Sequence, residues 1–306
     1  MTHTPVLLKE IIEILNPVSG EFFIDGTVGS GGHAEAILKK IGLSGKFFGI
    51  DWDKNNINKL IKTGKLGNWG NVILINENYA NLPEILKVEK LPKADGLLID
   101  LGFSSEQLNP LVGGGRGFSF MKDEVLDMRY NAEQIWNEYG TNAETAAEVV
   151  NSFNEKDLAD IFWKYGEERF SRQIAKKIME ERKKKRILTT FDLVEIIKKS
   201  VPKSYERGRI HPATRVFQAL RIYINNELEN LETILKNLDK ILKPYGRAAI
   251  ISFHSLEDRL VKNYFRQMVK EGKAEILTKK PITANEEEIK NNPRSRSAKL
   301  RAIKII

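Results

Sequence analysis

Phe23-Ile24-Asp25-Gly26-Thr27-Val28-Gly29-Ser30-Gly31-Gly32-His33 decides how this 306-residue chain folds. The run Glu21–Ile24 ends in the carboxylate of Asp25, four glycines follow within seven residues, and a helical pattern then covers Ala34 to Lys40. That order reads as a strand, a tight backbone turn and a helix N-terminus. The helix start offers free N–H groups and a partial positive charge, and the glycines let a ligand approach the main chain. A nucleotide-like cofactor suits such a turn. The dinucleotide pattern G-x-G-x-x-G/A also fits, through Gly29, Gly31 and Ala34. A second apolar strand, Lys46 to Ile50, delivers Asp51 at the distance expected of a ribose-binding acid. A plain Gly-rich connection without a ligand would leave the carboxylates at both strand ends without a purpose.

Working outward, strand-like runs end at Asp25, Asp51, Ile75 and Asp100, with helical segments between them and a helical pattern over Val6–Leu15 before them. Apolar strands alternating with helices predict an α/β fold whose mostly parallel sheet is covered on both faces. In such sheets ligands bind beyond the carboxyl ends of the strands, where Asp25, Asp51 and Asp100 fall. After Gln107 the pattern changes. Residues 109–117 are Gly-rich and every periodic segment from Glu133 to Ser200 is helical, with Asn154 and Thr190 as expected N-caps. The reading is one domain made of 1–108 and 211–306, with an inserted all-helical domain at 109–210. A long helix is expected over Ala213–Leu242, ended by Pro244-Tyr245-Gly246. A fifth strand follows at Arg247–Phe253, and an antiparallel hairpin pairs Glu275–Thr278 with Ala302–Ile306.

Composition narrows the chemistry. The chain has no cysteine, which removes disulfides, thiol nucleophiles and cysteine-based zinc sites. Its four histidines, His3, His33, His211 and His254, show no metal-ligand spacing, so no metal is expected. Neither a leader pattern nor a membrane-length apolar stretch is evident, and a cytoplasmic location is expected. The formal net charge is +8. Arginines interleaved with Ser, Pro and Gly around Arg215 and at Arg294 and Arg296 suit phosphate contact, with plain surface solvation as the alternative. The run Arg182–Arg186 reads instead as a solvated helix end.

Asp100 heads a second block, Asp100-Leu101-Gly102-Phe103-Ser104-Ser105-Glu106-Gln107. It is either a site acid or a helix N-cap. Three carboxylates around one site favour a cationic ligand over a pyrophosphate, which they would repel. S-adenosyl-L-methionine carries a ribose, an ammonium and a sulfonium but no phosphate, so charge favours it over NAD.

These motifs, with His3-x-Pro5-Val6-Leu7-Leu8-x-Glu10, Arg116-Gly117-Phe118-Ser119-Phe120, Leu126-Asp127-Met128-Arg129, His211-Pro212-Ala213-Thr214-Arg215, Ser252-Phe253-His254-Ser255 and Asn292-Pro293-Arg294-Ser295-Arg296, resemble those of the bacterial 16S ribosomal RNA cytosine-N4 methyltransferases, the RsmH (MraW) family. The resemblance covers nearly the whole chain. It implies a Rossmann-like class I methyltransferase fold and methyl transfer from S-adenosyl-L-methionine to N4 of a cytidine in the decoding region of 16S rRNA, within the small ribosomal subunit. The family's cofactor contacts fall on Gly31, Gly32, His33, Asp51, Tyr79, Asp100 and Gln107. Asp25 and Gly29 join them on the methionine side. Two departures stand out: Tyr79 where the family often has Phe, and Asp123-Glu124-Val125 where it has Asp-Gly-Pro.

Asp100 is the candidate acceptor for the N4 hydrogens. Phe103 either stacks on a flipped cytosine or lies buried. His254 shapes an RNA pocket, transfers a proton or caps a helix. Two other functions are weighed against this reading. An NAD-dependent oxidoreductase would explain the glycines and Asp51 but neither Asp25 nor Asp100. A non-catalytic RNA-binding assembly factor would keep the fold without the chemistry.

Overall fold

The structure, a computed structural model, describes residues 5–67, 71–102, 115–131, 144–206 and 211–306. Contacts divide it into two compact units, one of residues 1–102 with 228–306 and the other of 103–227.

The first unit begins with α1 (Leu8–Leu15), β1 (Phe22–Asp25), α2 (Gly32–Ile41), β2 (Lys46–Asp51), α3 (Lys54–Thr63), β3 (Val72–Asn76), α4 (Leu82–Val88) and β4 (Ala94–Asp100). Among the described residues its sheet has seven strands in the order β3-β2-β1-β4-β5-β7-β6; the three late strands are placed below. The pairs β1–β2, β1–β4, β2–β3 and β4–β5 are parallel, and β7 runs antiparallel to both β5 and β6. This is the Rossmann-like class I methyltransferase arrangement that the resemblance implies. Successive side chains on a strand point to opposite faces, and both faces here are covered. Phe22, Ile24, Phe48 and Ile50 enter one core, while Phe23 and Phe47 enter the other. The strands are therefore unbroken apolar runs rather than alternating ones. After β1 the chain moves outward through β2 and β3, then returns to place β4 on the other side of β1. The carboxyl ends of β1 and β4 thus border the switch point where open α/β sheets bind ligands.

The second unit contains α5 (Ala146–Ser152), α6 (Glu155–Gly166), α7 (Ser171–Glu181), α8 (Thr190–Ser200), α9 (Lys203–Glu206) and α10 (Ala213–Ile224). Asn154 caps α6 as expected, its side chain accepting from the Asp157 N–H at 2.9 Å. The cap of α8 is Thr189, not Thr190: Thr189 and Asp192 form a reciprocal capping box, and Thr190 is the first helical residue. α10 lies beyond the expected boundary at 210 but packs on α6, so it belongs to the contacts of the helical unit.

The single helix expected over Ala213–Leu242 is instead three: α10, α11 (Glu227–Lys236) and α12 (Leu238–Ile241). Asn225 and Asn226 interrupt it. The Asn225 amide donates to the carbonyls of Arg221 and Met128, its side-chain oxygen accepts from the Tyr130 N–H, and Asn226 adopts a left-handed φ of 48°. β5 (Leu242–Ser252) also begins earlier than expected, taking Pro244-Tyr245-Gly246 into a strand whose register with β4 shifts near that point. It is followed by α13 (Ser255–Lys270), β6 (Ala274–Ile276), α14 (Glu286–Asn291) and β7 (Lys299–Ile305). Among the described residues, no helix is long and apolar enough to cross a membrane.

Candidate active site

The three strand-end acids converge. Asp25 is buried, and its Oδ1 accepts from the Thr27 N–H at 3.0 Å. Burial, opposed by the Thr27 hydrogen bond and reinforced by the charges of Asp100 and Asp51, pushes its carboxyl up to about 7. Asp51 closes β2. Its Oδ2 accepts from Gly29 N–H at 2.8 Å and its Oδ1 from Asp53 N–H at 2.8 Å, so one carboxylate fixes the glycine turn to the end of the strand. Burial raises Asp51 to about 6 against those hydrogen bonds. Asp100 closes β4 half-buried, with its N–H donating to Thr27 Oγ1 at 2.7 Å and its Oδ1 accepting from Gly102 N–H at 3.0 Å.

Thr27 therefore links two walls. Its hydroxyl accepts from the Asp100 main chain, and its own N–H holds Asp25. The sequence reading missed this role, although the Asp-x-Thr pattern of a tight turn carries the signal. Asp53 and Asn56 were missed too. Both are buried, Asp53 caps α3, and the Asn56 side chain hydrogen-bonds to Asp51.

α2 starts directly over this cluster, with Gly31 as its N-cap at φ 75° and no side-chain cap bond. The glycine requirement has a specific physical cause at two positions. Gly31 needs the left-handed region, and a Cβ on Gly32 would fall 2.4 Å from Pro5 Cγ. At Gly32 the constraint is thus packing by Pro5. His33, next in α2, brings Nε2 to 2.9 Å from the Val6 carbonyl. A carbonyl only accepts, so Nε2 carries the proton and Nδ1 presents its lone pair when the ring is neutral. Nδ1 faces Asp100 Oδ2 at 3.9 Å. Tyr79 follows β3 and stands half-buried beside the turn, its Cβ 3.2 Å from where a Cβ on Gly26 would lie.

Asp25, Gly29, Gly31, Gly32, His33, Asp51, Tyr79 and Asp100 therefore all lie at the carboxyl ends of β1–β4 or on the turns that leave them. Phe103 and Gln107 lie outside the described residues. His254 occupies the N-cap of α13: its Nδ1 accepts from Glu257 N–H at 3.4 Å, and the buried Glu257 accepts in return from the N–H groups of Phe253 and His254. Phe253, the residue before it, fills the space over Gly102, where a Cβ would come 2.7 Å from the ring. Arg294 and Arg296 stand exposed on the single turn 293–297 before β7. Arg215, in the helical unit, donates from Nη1 to the Glu167 carbonyl at 3.2 Å.

The model of the MraW methylase family matches residues 1–306. The chain belongs to that family. Curated relatives named "Ribosomal RNA small subunit methyltransferase H" agree in length and sequence with this MraW methylase. The protein of Coprothermobacter proteolyticus is 45% identical over 302 residues, covering 99% of this chain and 95% of the relative. That of Syntrophotalea carbinolica is 43% identical over 319 residues, covering 99% and 97%. One from Clostridium botulinum is 43% identical and covers 99% of both chains.

A methylase draws its methyl group from a donor, and the residues present fit S-adenosyl-L-methionine. Acids whose charged forms are disfavoured by burial and by neighbouring acids form a receptor for a cation. A helix start without a side-chain cap suits the donor's carboxylate. Two phosphates in the same place would face Asp25, Asp51 and Asp100 together.

Proposed function

We propose that this MraW methylase transfers a methyl group from S-adenosyl-L-methionine to N4 of a cytidine in the decoding region of 16S rRNA, acting in the cytoplasm on the small ribosomal subunit. The observation that carries this reading is the convergence of Asp25, Asp51 and Asp100 on one turn. Thr27 bonds to Asp25 and to the Asp100 main chain, Gly29 bonds to Asp51, and the charges of Asp100 and Asp51 add to burial in raising the Asp25 carboxyl. The names of the relatives support the ribosomal RNA substrate.

When bound, the donor supplies an electrophilic methyl on a positive sulfur. The chain's residues do the rest. Asp51, anchored by two backbone N–H groups, receives ribose hydroxyls through its remaining lone pairs. Asp25 and the turn Gly29–Gly32 hold the ammonium and carboxylate end, and Tyr79 flanks the adenine. The N4 lone pair of cytosine is delocalised into the ring, so attack requires it to localise. An acceptor for the N4 hydrogens favours that change; Asp100 is our candidate, and its bonds to Thr27 and Gly102, which hold it at the end of β4, support the choice. Methyl transfer leaves N4 one proton in excess, and Asp100 is the group that takes it. The helical unit, 109–210 in the sequence reading, recognises RNA, with Arg215, His254, Arg294 and Arg296 as further contacts.

Small subunits from a strain lacking the enzyme, incubated with labelled S-adenosyl-L-methionine, are the test. Label recovered in N4-methylcytidine after nucleoside digestion is expected, and its absence would sink the reading. Asp100→Asn is expected to lower turnover more than cofactor affinity. Lost cofactor binding with an intact single-turnover rate would remove the acceptor role.

A further inference from the structure

The turn between α6 and α7 builds an exposed feature outside the cofactor site. Arg169 is exposed, and its guanidinium carbon lies 4.8 Å from the ring centroid of Phe170 and 4.8 Å from that of Tyr205. The two rings meet edge to face at 4.9 Å, forming a corner that backs the guanidinium from the protein side. The corner is anchored from below. Glu168, fully buried, accepts from the Tyr205 hydroxyl at 2.7 Å and from the Phe170 N–H at 2.8 Å. Burial and the Glu168 carboxylate push the Tyr205 phenol above its ordinary value, while Arg215 and Arg169 pull it the other way. Arg215 stands nearby, its Nη1 donating to the carbonyl of Glu167 at 3.2 Å, and Arg172 stands exposed in the first turn of α7.

A buried carboxylate spent on holding a tyrosine beneath an exposed arginine costs desolvation that a simple surface turn would not need. What it gains is a planar cation held within 4.8 Å of two aromatic ring centres, on an arginine that is exposed to solvent. Guanidinium planes and aromatic rings are the surfaces on which unpaired bases stack, and neighbouring arginines suit the flanking phosphates. An acidic protein segment would need the charge but not the plane. We propose that the Arg169–Phe170–Tyr205 corner is a base-stacking platform for single-stranded RNA, with Arg172 and Arg215 holding the adjoining backbone. This rests on the reading of RNA as substrate.

The test uses the full chain and a single-stranded RNA of about 12 nucleotides carrying a central 2-aminopurine, whose fluorescence is quenched on stacking. Wild-type protein is expected to bind and quench. Arg169→Ala is expected to weaken binding about tenfold and abolish the quench, with cofactor affinity unchanged. Arg169→Lys keeps the charge and removes the plane, so it is expected to recover part of the affinity but none of the quench. It also reads out the proposal if Arg169→Ala fails to fold. Unchanged binding in Arg169→Ala, or full recovery of the quench by Lys, would overturn the stacking platform while leaving the RNA reading standing. Wild-type protein that binds no RNA, and none of the isolated small subunit, would overturn both.

Discussion

The rim of the sheet and the interior of the helical unit treat charge in opposite ways. At the rim, three acids gather at the ends of β1, β2 and β4; burial, with the charges of Asp100 and Asp51, lifts Asp25 to about 7, and burial, with the charge of Asp53, lifts Asp51 to about 6. In the helical unit, opposite charges close pairwise. Arg129 meets Asp127 through Nε at 2.7 Å and Nη2 at 2.8 Å, and Arg221 meets Glu227 through the same two-point geometry at 2.7 and 2.8 Å. Paired charge serves the fold. Like charge held together at a strand end is stabilised only when something else arrives, and that is the physical signature of a site.

The difference can be attacked from either side. The largest effect is expected at Asp51. Asp51→Ala removes both the anchor of Gly29 and the ribose acceptor, and should weaken S-adenosyl-L-methionine binding by about 100-fold in calorimetry, two charge-assisted hydrogen bonds' worth. Unchanged affinity would break the contrast, because the rim acids would then be structural after all. Next comes the helical unit. Arg129→Ala leaves a half-buried Asp127 unpaired and should cost about 2 kcal/mol, seen as lost hydrogen-exchange protection in α5 with cofactor affinity intact. A matching loss of cofactor affinity would show that the two regions are not separable in function.

The smallest effect is a pH dependence. The folded carboxyl of Asp25 lies above its ordinary unfolded value, so folded protein binds its proton more tightly. That contribution to stability is complete below about 4 and is lost as pH rises through about 7. Without cofactor the melting temperature should therefore fall by a few degrees across this interval beyond what other groups impose. Asp25→Asn should flatten the decline, and S-adenosyl-L-methionine should offset it by supplying a cation. A slope in Asp25→Asn identical to wild type would assign the pH dependence elsewhere.

Much of this was legible in the sequence, for reasons that can be stated. Strands buried on both faces leave unbroken apolar runs, so Phe22–Asp25, Lys46–Asp51 and Ala94–Asp100 announced themselves and their terminal acids. Asn154 was readable as a cap because a single capping residue preceded its helix. Thr189 and Thr190 are adjacent and chemically identical, so pattern alone could not choose between them. The break at Asn225 was hidden because its cause is tertiary: the side chain serves Met128 and Tyr130, almost a hundred residues away in sequence, within the same unit. Thr27 was hidden for a similar reason, since its partner Asp100 arrives only when β4 pairs with β1. Glu168 carries no signal in the sequence, because only the fold puts it beneath Tyr205.

The position of β7 has a consequence for how the protein is made. Residues 299–305 form not an edge strand but the partner of both β5 and β6. β6 therefore leaves the ribosome with no neighbour to receive it, while β1–β5 can already assemble. Until residues 299–305 are translated, the β5 edge stays open, with Ile250 and Ile251 awaiting cover. The helical unit, built from local contacts, has no such wait. A nascent chain of this methylase should thus pass through a stage with a finished helical unit and an unfinished sheet. That stage is where a chaperone would be needed, and a stop codon ahead of residue 299 would make it permanent.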